Sequence, residues 1–166
     1  MQTQYNIFVR VRRYIHANWL GKAVRWYYNA LWGMHIGEGT QISLSAKLDK
    51  ANPSGVTIGD YTMVTFKVAI LTHDYVHKSH HQTKIGSYCF IGAYAIILPG
   101  ITIGDHCIIG AGSVVTRDIP AGSIAVGNPA RIIESGVKTG KWGRRLASST
   151  EAEETSTASS LHIAPG

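Results

Sequence analysis

From residue 36 to residue 115 the chain places an aliphatic side chain at every sixth position, with two interruptions. Ile85, Ile91, Ile97, Ile103, Ile109 and Val115 form one unbroken series, and Gly86, Gly92, Gly104 and Gly110 follow four of them directly. Upstream, Ile36, Ile42 and Leu48 keep the same step, as do Ile58, Val64 and Ile70, with Gly37 and Gly59 in the second slot. The fifth slot is small or β-branched: Thr40, Ala46, Thr62, Val68, Ala95, Ser113. Such a period fits neither a 3.6-residue helix nor strict strand alternation. It is a signature of a parallel β-helix, in which short strands meet at corners and each coil stacks on the one before.

If three hexapeptides make one triangular coil, 18 residues bring the chain back to the same side, one strand spacing of about 4.8 Å further along. Four coils follow, 36–53, 58–75, 85–102 and 103–120, with the register broken at 54–57 and 76–84. Insertions leave a solenoid as loops, often on its binding face. Cys89 and Cys107 share the fifth slot of adjacent coils, which predicts small core residues rather than a bridge or a metal pair.

The ends differ from this middle. Residues 6–33 hold no acid, five basic residues (Arg10, Arg12, Arg13, Lys22, Arg25) and three of the four tryptophans. Phe8, Val11, Ile15, Trp19, Ala23, Trp26 and Ala30 recur at helical spacing, which predicts one or two amphipathic helices over 1–33. Such a segment can cap the first coil or lie on an anionic bilayer, and both readings stay open. The solenoid domain is expected over 34–135. Residues 136–166 form an extension expected to be mostly disordered, because 146–166 is poor in large apolar residues and rich in Ser, Thr, Ala and Glu.

Composition adds a sign to this outline. The 166 residues are 45% hydrophobic and only 16% charged, yet the formal balance is +6. Glu151, Glu153 and Glu154 lie in the extension, so the remainder is more basic still and favours an anionic ligand or surface. No nucleic-acid partner is expected. The absence of an apolar run of about 18 residues, and of a signal-peptide core, gives a cytoplasmic address as the expectation, with peripheral contact on the inner membrane face.

Chemistry concentrates in LTHDYVHKSHHQTKIG, residues 71–86, which carries His73, His77, His80 and His81. Imidazole serves equally as general base, metal ligand or solvated surface, so the histidines alone leave all three open. In the hexapeptide count, His73 belongs to the in-register unit 70–75, whereas the other three fall in the loop. Asp74 follows at once, but strand neighbours point to opposite faces, so it is not expected to orient His73.

Residues 85–133, IGSYCFIGAYAIILPGITIGDHCIIGAGSVVTRDIPAGSIAVGNPARII, closely resemble the C-terminal coils of hexapeptide-repeat acyltransferases. The PGITIG turn, the IGAGSVVTRDIP coil and the closing GNPARII carry the likeness, which extends over roughly 34–135. It implies an all-β, left-handed parallel β-helix of the sugar and polysaccharide O-acetyltransferase branch. Acetyl-CoA would be the donor, a sugar or glycan hydroxyl the acceptor, and a homotrimer the assembly, with no metal.

By that resemblance LTHD makes His73 the general base, taking the proton of the hydroxyl as its oxygen attacks the thioester. Ala93, Ala111, Thr116, Arg117 and Arg131 would contact the donor. Two alanines 18 apart leave room for pantetheine amides at the main chain, and guanidinium groups suit CoA phosphates. Phe90 stands where many relatives have tryptophan. Two other readings remain: O-acetylation of free serine, and a zinc enzyme like the γ-class carbonic anhydrases, with His73, His77 and His106 as its histidines.

Overall fold

A computed structural model describes residues 21–146. Three strands per turn build a triangular coil: β1 (His35–Ile36), β2 (Gln41–Ile42) and β3 (Lys47–Leu48) start the first turn. β4 (Val56–Ile58), β5 (Met63–Val64) and β6 (Ala69–Ile70) make the second, then β9 (Thr83–Ile85), β10 (Phe90–Ile91) and β11 (Ile96–Ile97) the third. β12 (Thr102–Ile103), β13 (Ile108–Ile109) and β14 (Val114–Val115) complete the fourth. The hairpin between the second and third turns is β7 (His73–Asp74) and β8 (Ser79–His80). β15 (Ser123–Val126) and β16 (Arg131–Ser135) close the end.

Every third strand is a parallel neighbour, so the first side is β1-β4-β9-β12, the second β2-β5-β10-β13-β15 and the third β3-β6-β11-β14. Ile91 pairs with Ile109, Ile97 with Val115 and Ile85 with Ile103, the 18-residue return that the six-residue step predicts. In most of the two-residue strands the second side chain points inward and is buried, and the fifth-slot residue of each hexapeptide joins it. Val64, Ile70, Ile91, Ile97, Ile109 and Val115 are fully buried in one continuous core. Each such side chain contributes roughly 1.5–3 kcal/mol by leaving water.

The two insertions sit earlier than the six-residue count places them. Val56 pairs with Thr83, and both are buried in the inward slot that the count assigns to Asn52 and Asp74. The reason is desolvation: a carboxylate or a primary amide cannot enter an aliphatic interior without compensating partners. Thr83 can, because its hydroxyl donates to the Leu71 carbonyl at 2.6 Å. The chain therefore leaves the coil at His73 rather than after Tyr75.

Cys89 and Cys107 are free and buried, as their shared slot predicts. Contact with the Cys107 thiol and burial push the Cys89 thiol up, so it stays protonated.

At the entrance, helix α1 (Gly21–Trp26) runs into a π-helical turn, Tyr27–Leu31. Val24, Tyr28 and Trp32 pack on the core, whereas Ala23, Trp26 and Ala30, the face chosen by the helical spacing, are exposed. Val24 and Tyr28, four residues apart, form the face that meets the coil, one residue round the helix from the face that the count selects. Residues 1–20, with the remainder of that predicted face, lie outside the described residues.

At the other end, 137–146 is ordered, and the tail from 147 lies outside the described residues. This strap runs back across the coils at the corner between the first and second sides. Val137 donates its N–H to the Gly122 carbonyl, and the Thr139 hydroxyl donates to the Tyr88 carbonyl. Trp142 donates its backbone N–H to the Tyr61 carbonyl at 2.6 Å and its ring N–H to the Gly39 carbonyl at 2.8 Å. Tyr61, Tyr88 and His106 stack beneath it, with centroids 5.6 and 5.2 Å apart.

Candidate active site

His73 opens the hairpin at the corner between the third and first sides. Asp49, one coil below, anchors the backbone there. Its Oδ2 accepts the N–H groups of Thr72 and His73 at 3.0 and 2.9 Å, and its Oδ1 accepts that of Ala51. Burial opposes its ionisation, but those donors and the His73 ring outweigh it and hold the carboxyl below the usual carboxylate range. Asn52 joins the same corner to the far arm of the hairpin: its side-chain amide donates to the carbonyls of Thr72 and His81 at 3.2 and 3.0 Å.

The His73 ring is half-buried between two aromatic neighbours. Tyr75 lies tilted on it with centroids 4.0 Å apart, and His80 meets it edge-on at 5.0 Å. His80 is its antiparallel partner, so pairing across the hairpin brings the two imidazoles together. Nδ1 of His73 is buried with no hydrogen-bond partner among the described residues. For Nε2 to take a proton from a hydroxyl, Nδ1 must carry the ring hydrogen, which needs an acceptor from elsewhere.

The turn of the hairpin is fastened by Asp74. Its Oδ1 accepts the N–H groups of Val76 and His77, and its Oδ2 meets the His77 ring nitrogen at 2.7 Å. As the sequence suggests, Asp74 faces away from His73. The His77 side-chain and backbone bonds hold its carboxyl at about 2. Because the folded value lies below an ordinary aspartate near 3.9, the pair stabilises the turn above about pH 4. That contribution is lost as pH falls through 2. A carboxyl NMR titration of Asp74 is expected to show this low midpoint, and His77→Ala to raise it; an ordinary midpoint in both proteins would show that the pair does not form in solution.

The predicted donor contacts fall on two corners. Ala93 and Ala111 stack where the second side turns into the third, with the Gly112 N–H donating to the Ala93 carbonyl at 2.8 Å. Arg131 opens β16 opposite Val126, is exposed, and donates to the neighbouring Ala130 carbonyl. Thr116 and Arg117 follow β14 instead, at the corner that carries His73, two coils further along. One copy thus brings His73, Thr116 and Arg117 to one edge and Ala93, Ala111 and Arg131 to another.

Nor does one copy gather the histidines of the zinc reading. His106 stands at the strap corner with Nδ1 on the Thr139 carbonyl at 3.0 Å, away from His73 and His77.

Sequence reasoning missed Asp49, Asn52 and Tyr75, and it placed His80 in the loop without pairing it to His73. The usable signal was Asp74 followed by Val76 and His77, a carboxylate placed to collect the N–H groups of a turn and so to fold the loop into a hairpin.

Six-residue steps, three parallel sides and a histidine hairpin at one corner define a hexapeptide-repeat solenoid. Residues 82–117 match the family described as bacterial transferase hexapeptide (six repeats), and the chain belongs to that family. It is 43% identical over 126 residues to nodulation protein L of Rhizobium leguminosarum bv. viciae, covering 70% of this chain and 66% of the relative. A crystal structure of a maltose O-acetyltransferase from Clostridium difficile 630 superposes with a TM-score of 0.54 at 40% identity, over 63% of this chain and 59% of that one. A serine acetyltransferase in complex with CoA gives 0.50 at 27% identity, over 60% and 39%. The chain spans just under two thirds of the length of some of the curated relatives it matches and half or less of others. No helix among the described residues is long and apolar enough to cross a membrane.

Proposed function

We propose that the protein is an acetyl-CoA-dependent O-acetyltransferase acting on a hydroxyl of a sugar or polysaccharide precursor, with His73 as general base. The observation that carries this reading is the His73 corner: an imidazole fixed through its backbone by Asp49 and flanked by Tyr75 and His80 at the mouth of the hairpin. The likeness to a maltose O-acetyltransferase supports a sugar acceptor, and the likeness to a CoA-bound serine acetyltransferase supports the donor. In the proposed reaction the acceptor oxygen attacks the thioester carbonyl while His73 takes its proton. Collapse of the tetrahedral intermediate expels CoA thiolate, which recovers that proton, leaving an O-acetyl ester.

The proposal includes a left-handed coil and a homotrimer. Two features support a site completed between copies: His73 and the Ala93–Ala111 column occupy different corners of one chain, and Nδ1 of His73 waits for an acceptor. In such a groove Ala93 and Ala111 leave space for pantetheine, while Thr116, Arg117 and Arg131 meet its polar and phosphate groups. Peripheral contact of residues 6–33 with an anionic bilayer on the cytoplasmic side also belongs to the proposal, and the exposed Trp26 and Leu31 support it.

Calorimetric titration with acetyl-CoA, alongside metal analysis, tests this before any acceptor is known. Saturable binding, weakened by Arg117→Gln or Arg131→Gln, is the expected result. Absence of binding together with about one metal per chain would overturn the reading in favour of histidine ligands.

A further inference from the structure

The strap and the entrance helix enclose a second concavity, on the corner between the first and second sides and separate from the His73 hairpin. Lys22 and Arg25 of α1 and Lys141 of the strap line a cavity of roughly 280 Å³, with Tyr61 and Trp142 as its aromatic walls. The Lys141 ammonium stands 4.5 Å above the Tyr61 ring, and Trp142 is pinned by its two hydrogen bonds to Tyr61 and Gly39. The ion pairs of the described residues are Asp74–His77 and Glu134–Arg145, so none of these three cations is matched by a described acid. Glu38 is the one acid in the lining, which leaves a net charge of two positive units.

We infer that this cavity is a binding site for a phosphate monoester other than that of acetyl-CoA, whose proposed contacts at Ala93, Ala111, Thr116, Arg117 and Arg131 lie outside its lining. Two observations point to phosphate rather than to a carboxylate, and a third to a site formed before the ligand arrives. The surplus of two positive charges matches a group that carries about −1.5 to −2 at neutral pH. A guanidinium beside ammonium groups combines a forked donor with point charges, the combination that recognises tetrahedral oxyanions. The walls are fixed before binding, since Lys141 is held over Tyr61 and the strap is bonded along the coils, so little ordering cost remains.

The same headgroup can arrive on a soluble metabolite or on a lipid such as phosphatidic acid. The full chain is therefore titrated with inorganic phosphate, and separately sedimented with phosphatidylcholine vesicles with and without phosphatidic acid. Phosphate binding without vesicle binding identifies a soluble ligand. Sedimentation with phosphatidic acid that exceeds sedimentation with vesicles made equally anionic by phosphatidylglycerol, a phosphodiester lipid, identifies a lipid source. In either case Arg25→Gln combined with Lys141→Gln is expected to weaken binding about tenfold or more, and Lys22→Gln alone to weaken it less. Lys84→Gln, the same charge change on the first side of the coil, should leave it intact, and acetyl-CoA affinity should be unaltered in every variant. No binding of either probe to the wild-type protein, or equal losses in the Lys84 variant, would overturn the inference.

Discussion

Alanine at position 73 is expected to lower acetyl transfer about 10²- to 10⁴-fold, the usual worth of a general base. That corresponds to about 2.7–5.5 kcal/mol of transition-state stabilisation. A hydroxyl near neutral pH is a weak nucleophile, and the barrier falls only if its proton has somewhere to go as the carbon–oxygen bond forms. The described hairpin offers other imidazoles, but not in equivalent places. His77 is engaged by Asp74 and His81 by Ser79, both at 2.7 Å, and both are exposed, whereas His73 is the half-buried imidazole of the hairpin and is anchored to the coil by Asp49. His80 touches His73 from an exposed position, so it can bias the ring without replacing it.

The variant separates chemistry from binding, because the proposed donor contacts are made by other residues. Turnover should collapse while the dissociation constant for acetyl-CoA stays within about twofold of wild type. Near-normal turnover with a sugar acceptor would remove His73 from the mechanism. Joint loss of turnover and donor binding would make it a structural residue of the groove.

How much of this was legible beforehand depends on what each feature requires. The three-sided coil was legible because each side of the prism takes one large inward residue per strand, and Ile85, Ile91 and Ile97 advertise that directly. The exit points were not, because they depend on which residue tolerates the interior. Thr83 and Val56 take slots that a count gives to Asp74 and Asn52, and only the cost of burying those polar groups decides the matter.

The histidine at the corner was legible from LTHD, but its surroundings were not. Asp49 reaches it from 24 residues earlier through the stacking of coils, and His80 reaches it through a hairpin register. The strap was hidden for a different reason. Trp142 and Thr139 find their partners on Gly39 and Tyr88, 103 and 51 residues away, and nothing local in GVKTGKWGRR marks that path.

Truncating Ile91 to alanine is expected to cost about 2–5 kcal/mol. Its side chain is fully buried and pairs with Val64 on the coil before and Ile109 on the coil after. A solenoid is held together by contacts between neighbouring repeats, so a cavity in the third coil weakens two interfaces at once. Ile36 makes the useful comparison: it is also buried, but it lies on the first coil and, among the described residues, has one strand partner, Ile58. Ile36→Ala should therefore cost less, since only one coil-to-coil interface is opened. Urea unfolding of the two variants reads the difference directly. If Ile91→Ala lost under about 1 kcal/mol, or less than Ile36→Ala, the middle coils would not be the packed centre of the protein. With the expected order, the stability of the His73 corner follows from the same stack, because the Leu71 N–H is held by the Ile97 carbonyl of the third coil.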